Sequence, residues 1–251
     1  MKPNSSAMTN TVNSAAPRDR LIFALDIGDG LEEALSWVDR LWDHVGLFKV
    51  GKESFVRYGP EIVRRIHERG GRVFLDLKFH DIPNTVARAA EAAGGLRVAM
   101  FNLHALGGVR MMTETVGAVR RMAERSAEAP PLILAVTILT SLNGDDLKRL
   151  GFVHGTRETA LNLARMAQDS GVSGVVASAE DAEAIRCACG ETFVIVTPGI
   201  RGIKAVAGED PRGADVLAVL ALPEPEARSR ALANLGIGLV ARSLDAPSGP
   251  G

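Results

Sequence analysis

The decapeptide Asp76-Leu77-Lys78-Phe79-His80-Asp81-Ile82-Pro83-Asn84-Thr85 gathers three charged side chains, Asp76, Lys78 and Asp81, on one short segment. An apolar run, Arg72-Val73-Phe74-Leu75, leads into it, and a helix-like stretch beginning near Asn84 follows Pro83. Along a strand, residues two apart face the same way, so Asp76 and Lys78 project together. Carboxylates and an ammonium at the end of a buried strand are costly unless paired. Two readings follow. The group is a structural ion pair, or it is part of a functional site.

The elements around it decide between the two. From residue 20 onward, apolar β-rich runs alternate with amphipathic stretches. Strands are expected at Leu21–Ile27, Leu47–Gly51, Arg72–Phe79, Val98–Ala105, Leu132–Leu139, Gly174–Ser178 and Phe193–Gly199, with an eighth in the last forty residues. Their near-continuous apolar character suits strands buried on both faces of a parallel sheet. Helices are expected at Leu31–Trp42, Pro60–Arg69, Asn84–Ala93, Gly108–Arg125, Arg157–Ser170 and Ala182–Ala188, with left-handed caps at Gly70, Gly94 and Gly171. Seven or eight such units in about 230 residues suit a (β/α)8 TIM barrel. A doubly wound open sheet is the alternative, but no G-x-G-x-x-G follows the first strand. The domain reading is a disordered tail over 1–18 and a single barrel over 19–251.

A barrel carries its functional groups at the C-terminal ends of its strands. Polar residues do accumulate there: Asp26, Lys49, Asp76, Lys78, Asp81, Asn102, His104, Thr137, Thr140, Ser141, Thr197 and Arg201. That concentration favours an active site over a structural ion pair.

Composition narrows the remaining classes. The 251 residues carry 29 Lys and Arg against 30 Asp and Glu, a net charge of -1 that gives no reason to propose nucleic acid or an acidic membrane as partner. No apolar run is long enough for a membrane span, and residues 1–18 lack the apolar core of a secretory signal. The two cysteines, Cys187 and Cys189, form neither a disulfide framework nor a metal set. No metal or cofactor is expected, and the compartment expected is the cytoplasm. His80 and His104 read as hydrogen-bonded structural histidines. Glu53 with Arg57, and Arg120-Arg121 with Arg125, read as solvated helix faces.

The motif DLKFHDIPNT resembles the signature of the orotidine 5'-phosphate decarboxylase family. Leu25-Asp26, Lys49-Val50-Gly51, Phe101 to Gly108, Leu139-Thr140-Ser141 and Thr197-Pro198-Gly199-Ile200-Arg201 are similar to that family's other blocks, in its order. The resemblance covers roughly residues 20–202. It implies a homodimeric barrel with shared active sites, acting without metal or organic cofactor on a nucleotide. Position by position, Lys49, Asp76, Lys78 and the neighbouring subunit's copy of Asp81 would form the catalytic charge network. Asp26 and Lys49 would meet the ribose or base, Thr85 a ribose hydroxyl across the interface, Thr140 the base and Arg201 the 5'-phosphate. Ile82 and Pro198 would complete the substrate contacts.

The last fifty residues depart from the pattern. Pro211 stands where the family's mobile loop carries a Gln, and proline offers neither an amide side chain nor a backbone N–H. Two stretches compete for the eighth strand. Gly213-Ala214-Asp215-Val216-Leu217 fits but supplies no Arg. Leu239-Val240-Ala241-Arg242, preferred here, supplies Arg242 for phosphate, with Ala241 in place of a glycine. Three functions are weighed: the decarboxylase; a weakened homologue that only binds nucleotide; and a Mg²⁺-using sugar-phosphate decarboxylase, which the unbroken DLKFHDIPNT opposes.

Overall fold

Eight short strands close into a ring in chain order. They are β1 (Leu21–Ala24), β2 (Leu47–Gly51), β3 (Val73–Phe79), β4 (Met100–His104), β5 (Leu132–Val136), β6 (Gly174–Val176), β7 (Val194–Ile200) and β8 (Val216–Val219). The computed structural model describes residues 17–26, 30–126, 129–200 and 216–219. Between the strands run α1 (Leu31–Leu41), α2 (Lys52–Tyr58), α3 (Glu61–Glu68), α4 (Pro83–Gly95), α5 (Gly108–Ser126), α6 (Gly144–Arg149), α7 (Thr156–Asp169) and α8 (Ala182–Cys189). The expected (β/α)8 barrel is therefore the fold.

The first seven strands pair in parallel with their sequence neighbours. Closure is atypical. β8 lies antiparallel to both β7 and β1, with Ile200 opposite Val216 and Leu21 opposite Ala218. This corrects the preferred placement of the eighth strand at Leu239–Arg242, which falls outside the described residues. Val216-Leu217-Ala218-Val219 is as apolar and β-prone as that stretch. By closing the ring it pairs backbone groups that β1 and β7 would otherwise present as open edges.

Strand alternation divides the core in two. Phe23, Phe48, Leu75, Phe101, Leu103, Ile133, Val175 and Ile195 face outward and pack under the helices. Their partners one residue away, Ile22, Ala24, Leu47, Phe74, Met100, Leu134, Val136, Val176 and Val196, fill the barrel interior. The period-two rule thus fixes what comes next on the inner face. Above Ala24, Leu47, Phe74 and Met100 stand Asp26, Lys49, Asp76 and Asn102.

Helix ends follow expectation with one exception. Gly70 and Gly171 adopt φ of 77° and 81° beyond α3 and α7, the left-handed conformation that glycine adopts without strain. Gly94 instead lies inside α4, and the left-handed residue there is Arg97, with φ 58°. Gly94 serves packing, because a Cβ on it would run into the Met122 thioether of α5. The solvated faces hold: Glu53 and Arg57 pair at 3.0 Å on exposed helix, and Arg125 meets Glu91 at 3.1 Å. Cys187 and Cys189 are both free thiols.

Candidate active site

At the mouth of the barrel, side chains from three adjacent strands form a chain of alternating charge. Asp26, just past β1, accepts a hydrogen bond from Lys49 Nζ on β2. Lys49 Nζ also lies 3.7 Å from Asp76 Oδ2 on β3. Asp76 Oδ1 in turn accepts from Lys78 Nζ at 2.6 Å. Lys49 and Asp76 are buried, at 7% and 8% exposure, so each depends on the other's charge. Two carboxylates against two ammonium groups leave the network neutral as it stands.

Its backbone is equally constrained. Leu25 N–H donates to Lys49 C=O at 2.9 Å, and Ser54 Oγ on α2 donates to Leu25 C=O at 3.0 Å, fixing the base of Asp26. On β3 the ladder to β4 slips: Leu75 pairs with Phe101, but the next pair is Phe79 with Leu103. The extra residues bulge, and Lys78 takes a left-handed φ of 52°. A non-glycine residue there is strained and persists only where its surroundings hold it. Asn102, fully buried on β4, accepts from Lys78 N–H at 2.7 Å and donates through Nδ2 to Asp76 Oδ1 at 2.6 Å.

The Asp76 carboxyl feels opposed influences. Burial pushes its pKa up, but the Lys49 and Lys78 ammonium groups, with hydrogen bonds from Lys78 and Asn102, bring it below the ordinary carboxylate value. The side chain stays ionised throughout the neutral range.

Gly51, the last residue of β2, has an ordinary φ of -83°. Space, not backbone, demands glycine here. A Cβ would strike Asp26 Oδ1 and come within 3.2 Å of Lys49 Nζ. Gly51→Ala is expected to push the Asp26–Lys49 pair out of place and lower kcat/KM by roughly tenfold or more. Thermal unfolding should change little. A kcat/KM equal to wild type would show that the pair tolerates the displacement.

The other expected residues spread along the same rim. Asp81 is exposed, and its carboxylate accepts from Ile82 N–H at 2.6 Å; among the described residues no hydrogen bond or ion pair joins it to Lys78. Thr85 lies exposed in the first turn of α4, which Pro83 opens. Ile82 is 67% exposed. Thr140 is exposed in the turn after β5, and Pro198 is half-buried on β7. A capping box between Asn143 and Asp146 starts α6 and pins that β5 turn. Arg201, Ala241 and Arg242 lie outside the described residues. Asn102 and Gly51 also shape this network; the sequence marked Asn102 only as one polar strand-end residue among many and Gly51 only as part of a block, with no role for either. The Met100, Asn102, His104 alternation on the inner face of β4 was the available signal for Asn102.

His104 corrects an expectation. Its Nδ1 is buried with no hydrogen-bond partner among the described residues, and its ring leans on His80 with centroids 5.3 Å apart. Burial, with His80, Lys52 and Lys78 adding positive charge and Asp76 opposing them, lowers its pKa to about 4. The unfolded chain therefore binds this proton more readily than the folded one. Stability is full above the ordinary value of 6.5 and falls as pH drops from there toward about 4. Replacement by a non-titrating residue, His104→Gln, is expected to flatten the fall in urea midpoint between pH 7 and pH 5. An unchanged slope would assign it to other groups.

The sequence model of the orotidine 5'-phosphate decarboxylase / HUMPS family matches residues 19–221. The chain belongs to this family. A relative from Syntrophus aciditrophicus (strain SB), named orotidine 5'-phosphate decarboxylase, is 66% identical over 203 residues, 81% of either chain. A second of that name, from Syntrophotalea carbinolica, is 52% identical over 184 residues, covering 73% of this chain and 75% of its own. Among solved structures, the Lactobacillus acidophilus orotidine 5'-phosphate decarboxylase is similar with a TM-score of 0.66 at 36% identity, covering 72% of this chain and 80% of that one. The family match takes in all eight strands, β8 included, and ends before Ala241 and Arg242.

Proposed function

We propose that the barrel mouth decarboxylates orotidine 5'-phosphate to UMP and carbon dioxide, the last step of de novo pyrimidine nucleotide synthesis. The observation that carries this is Lys78, an ammonium held 2.6 Å from a buried carboxylate within an alternating charge network. The names of the relatives support the same reaction and do not favour a homologue that merely binds nucleotide.

In the reaction the bond from C6 to the carboxyl group breaks, carbon dioxide leaves, and the electron pair stays on C6. No adjacent carbonyl accepts that pair in the usual way. The site must therefore stabilise a carbanion-like transition state more than the substrate. Lys78 serves as a preorganised positive charge and as the acid that protonates C6; water then restores its proton. Asp76 sits beside the departing carboxylate and keeps Lys78 aimed. Asp26 and Lys49 hold the ribose or base edge, and Thr140 and Pro198 contact the base side. Arg201 takes the 5'-phosphate, with Ala241 and Arg242 assigned to the same grip. Binding energy from that remote phosphate serves to close the site.

The same reading makes the enzyme a homodimer with shared sites. Asp81 and Thr85 would serve the neighbouring subunit. Support comes from their exposure and from large apolar side chains left exposed at Ile82 (67%), between them in sequence, and past β4 at Leu106 (41%) and Val109 (54%). Residues 19–251 are taken as one barrel domain. No helix among the described residues is long and apolar enough to cross a membrane, and we place the enzyme in the cytoplasm, acting without metal or cofactor.

The test is steady-state turnover by purified protein, followed as loss of orotate absorbance. Sustained conversion at micromolar substrate is expected, with the phosphate-free nucleoside turned over far more slowly. Tight nucleotide binding without turnover would favour the non-catalytic reading.

A further inference from the structure

We propose that Asn102 is a positioning residue for the decarboxylation, holding Lys78 and Asp76 in working geometry through its amide; this rests on the function proposed above. The bulge in β3 deprives Lys78 N–H of a ladder partner, since the pairing passes from Leu75–Phe101 straight to Phe79–Leu103. Asn102 lies opposite that gap, and its Oδ1 takes up the orphaned N–H at 2.7 Å. Its Nδ2 then reaches Asp76 Oδ1 at 2.6 Å, the same oxygen that accepts from Lys78 Nζ. One side chain thus grips the catalytic lysine by its main chain and the carboxylate that steers the lysine's ammonium.

The chemistry of the two ends specifies the residue type. One end must accept from an N–H and the other must donate to a carboxylate. A primary amide does both, whereas a carboxylate can only accept and an alkyl group can do neither. Asn102 is fully buried, so water does not replace either bond. The left-handed φ of 52° at Lys78 is the part with most to lose, because strain of this kind relaxes once its support is gone. Aspartate at 102 would set a second carboxylate against Asp76, and the two would share a proton.

Asn102→Ala and Asn102→Asp separate these effects. In both, kcat is expected to fall about a hundredfold with KM changed less than about threefold, since the lost contact acts on the reacting groups. In Asn102→Asp the acidic limb of the kcat profile should also move to higher pH. A role confined to stability would lower the unfolding temperature and leave kcat per folded enzyme and its pH profile unmoved, overturning the proposal. Amide hydrogen exchange gives a readout that needs no turnover. The Lys78 N–H should exchange at least tenfold faster in Asn102→Ala, while those of Phe48 and Leu132 keep their protection. An equally protected Lys78 amide would overturn the proposal even if wild type proved inactive, and inactivity of wild type would count against the decarboxylase reading alone.

Discussion

Lys78→Ala is expected to leave a folded protein with kcat/KM lowered at least about 10⁴-fold. General acid catalysis alone contributes about 10²–10⁴, and a preorganised charge at the developing anion roughly another 10² or more. The substitution adds little structural damage. Alanine at the left-handed position is no more strained than lysine, and Asp76 retains Lys49 and the Asn102 amide as partners. Circular dichroism and the unfolding temperature should therefore stay near wild type while orotate absorbance hardly declines. Turnover within tenfold of wild type would remove Lys78 from the chemistry and with it the mechanism.

Asp76→Asn should damage both stability and rate. The amide is nearly isosteric and can still accept from Asn102, so the change isolates the charge. Lys49, buried at 7% exposure, would then face Lys78 with only the partly exposed Asp26 to offset two positive charges. Taking away one of the two carboxylates around a buried ammonium is expected to cost roughly 1–3 kcal/mol, less than stripping it of every partner, which urea denaturation at pH 7 would read. Because the native Asp76 pKa lies below the ordinary 3.8, its contribution is fully present above that value and is lost as pH falls below it. The gap between wild type and variant should therefore narrow on acidification below about pH 4. With Lys78 no longer steered, kcat is expected to fall about 10²–10³-fold. A variant as stable and as fast as wild type would mean that the ion chain is ornamental.

Much of this was legible in the residues. Apolar runs such as Leu132-Ile133-Leu134-Ala135-Val136 located strands, and polar residues just past them located the mouth. Pairing of Asp76 with Lys78 followed from their spacing. What remained hidden depends on neighbours distant in sequence. Asn102 matters only because β3 slips by two residues against β4, and no local pattern announces a bulge. Gly51 looks like any strand-end glycine until Asp26 is placed against it. Gly94 resembled a helix cap because it ends an apolar stretch, yet α4 continues past it and Met122 uses the gap. His104 was read as hydrogen-bonded because buried histidines generally are, whereas here a second imidazole occupies the space beside it. The eighth strand was misplaced because two short apolar segments are equally β-prone, and only pairing with β1 and β7 separates them.

The reversed direction of β8 changes which end of the strand meets the substrate. Val216, paired with Ile200, stands at the catalytic end of the barrel, and Val219, opposite Val196, points toward the floor. In an all-parallel barrel the eighth strand delivers the residues that follow it to the catalytic end. Here that delivery is inverted: the amino end of β8 stands beside the mouth and its carboxyl end lies at the floor, away from the charge network. A strand of this length spans about 13 Å, so β8 carries its own carboxyl end roughly that far from the substrate's side.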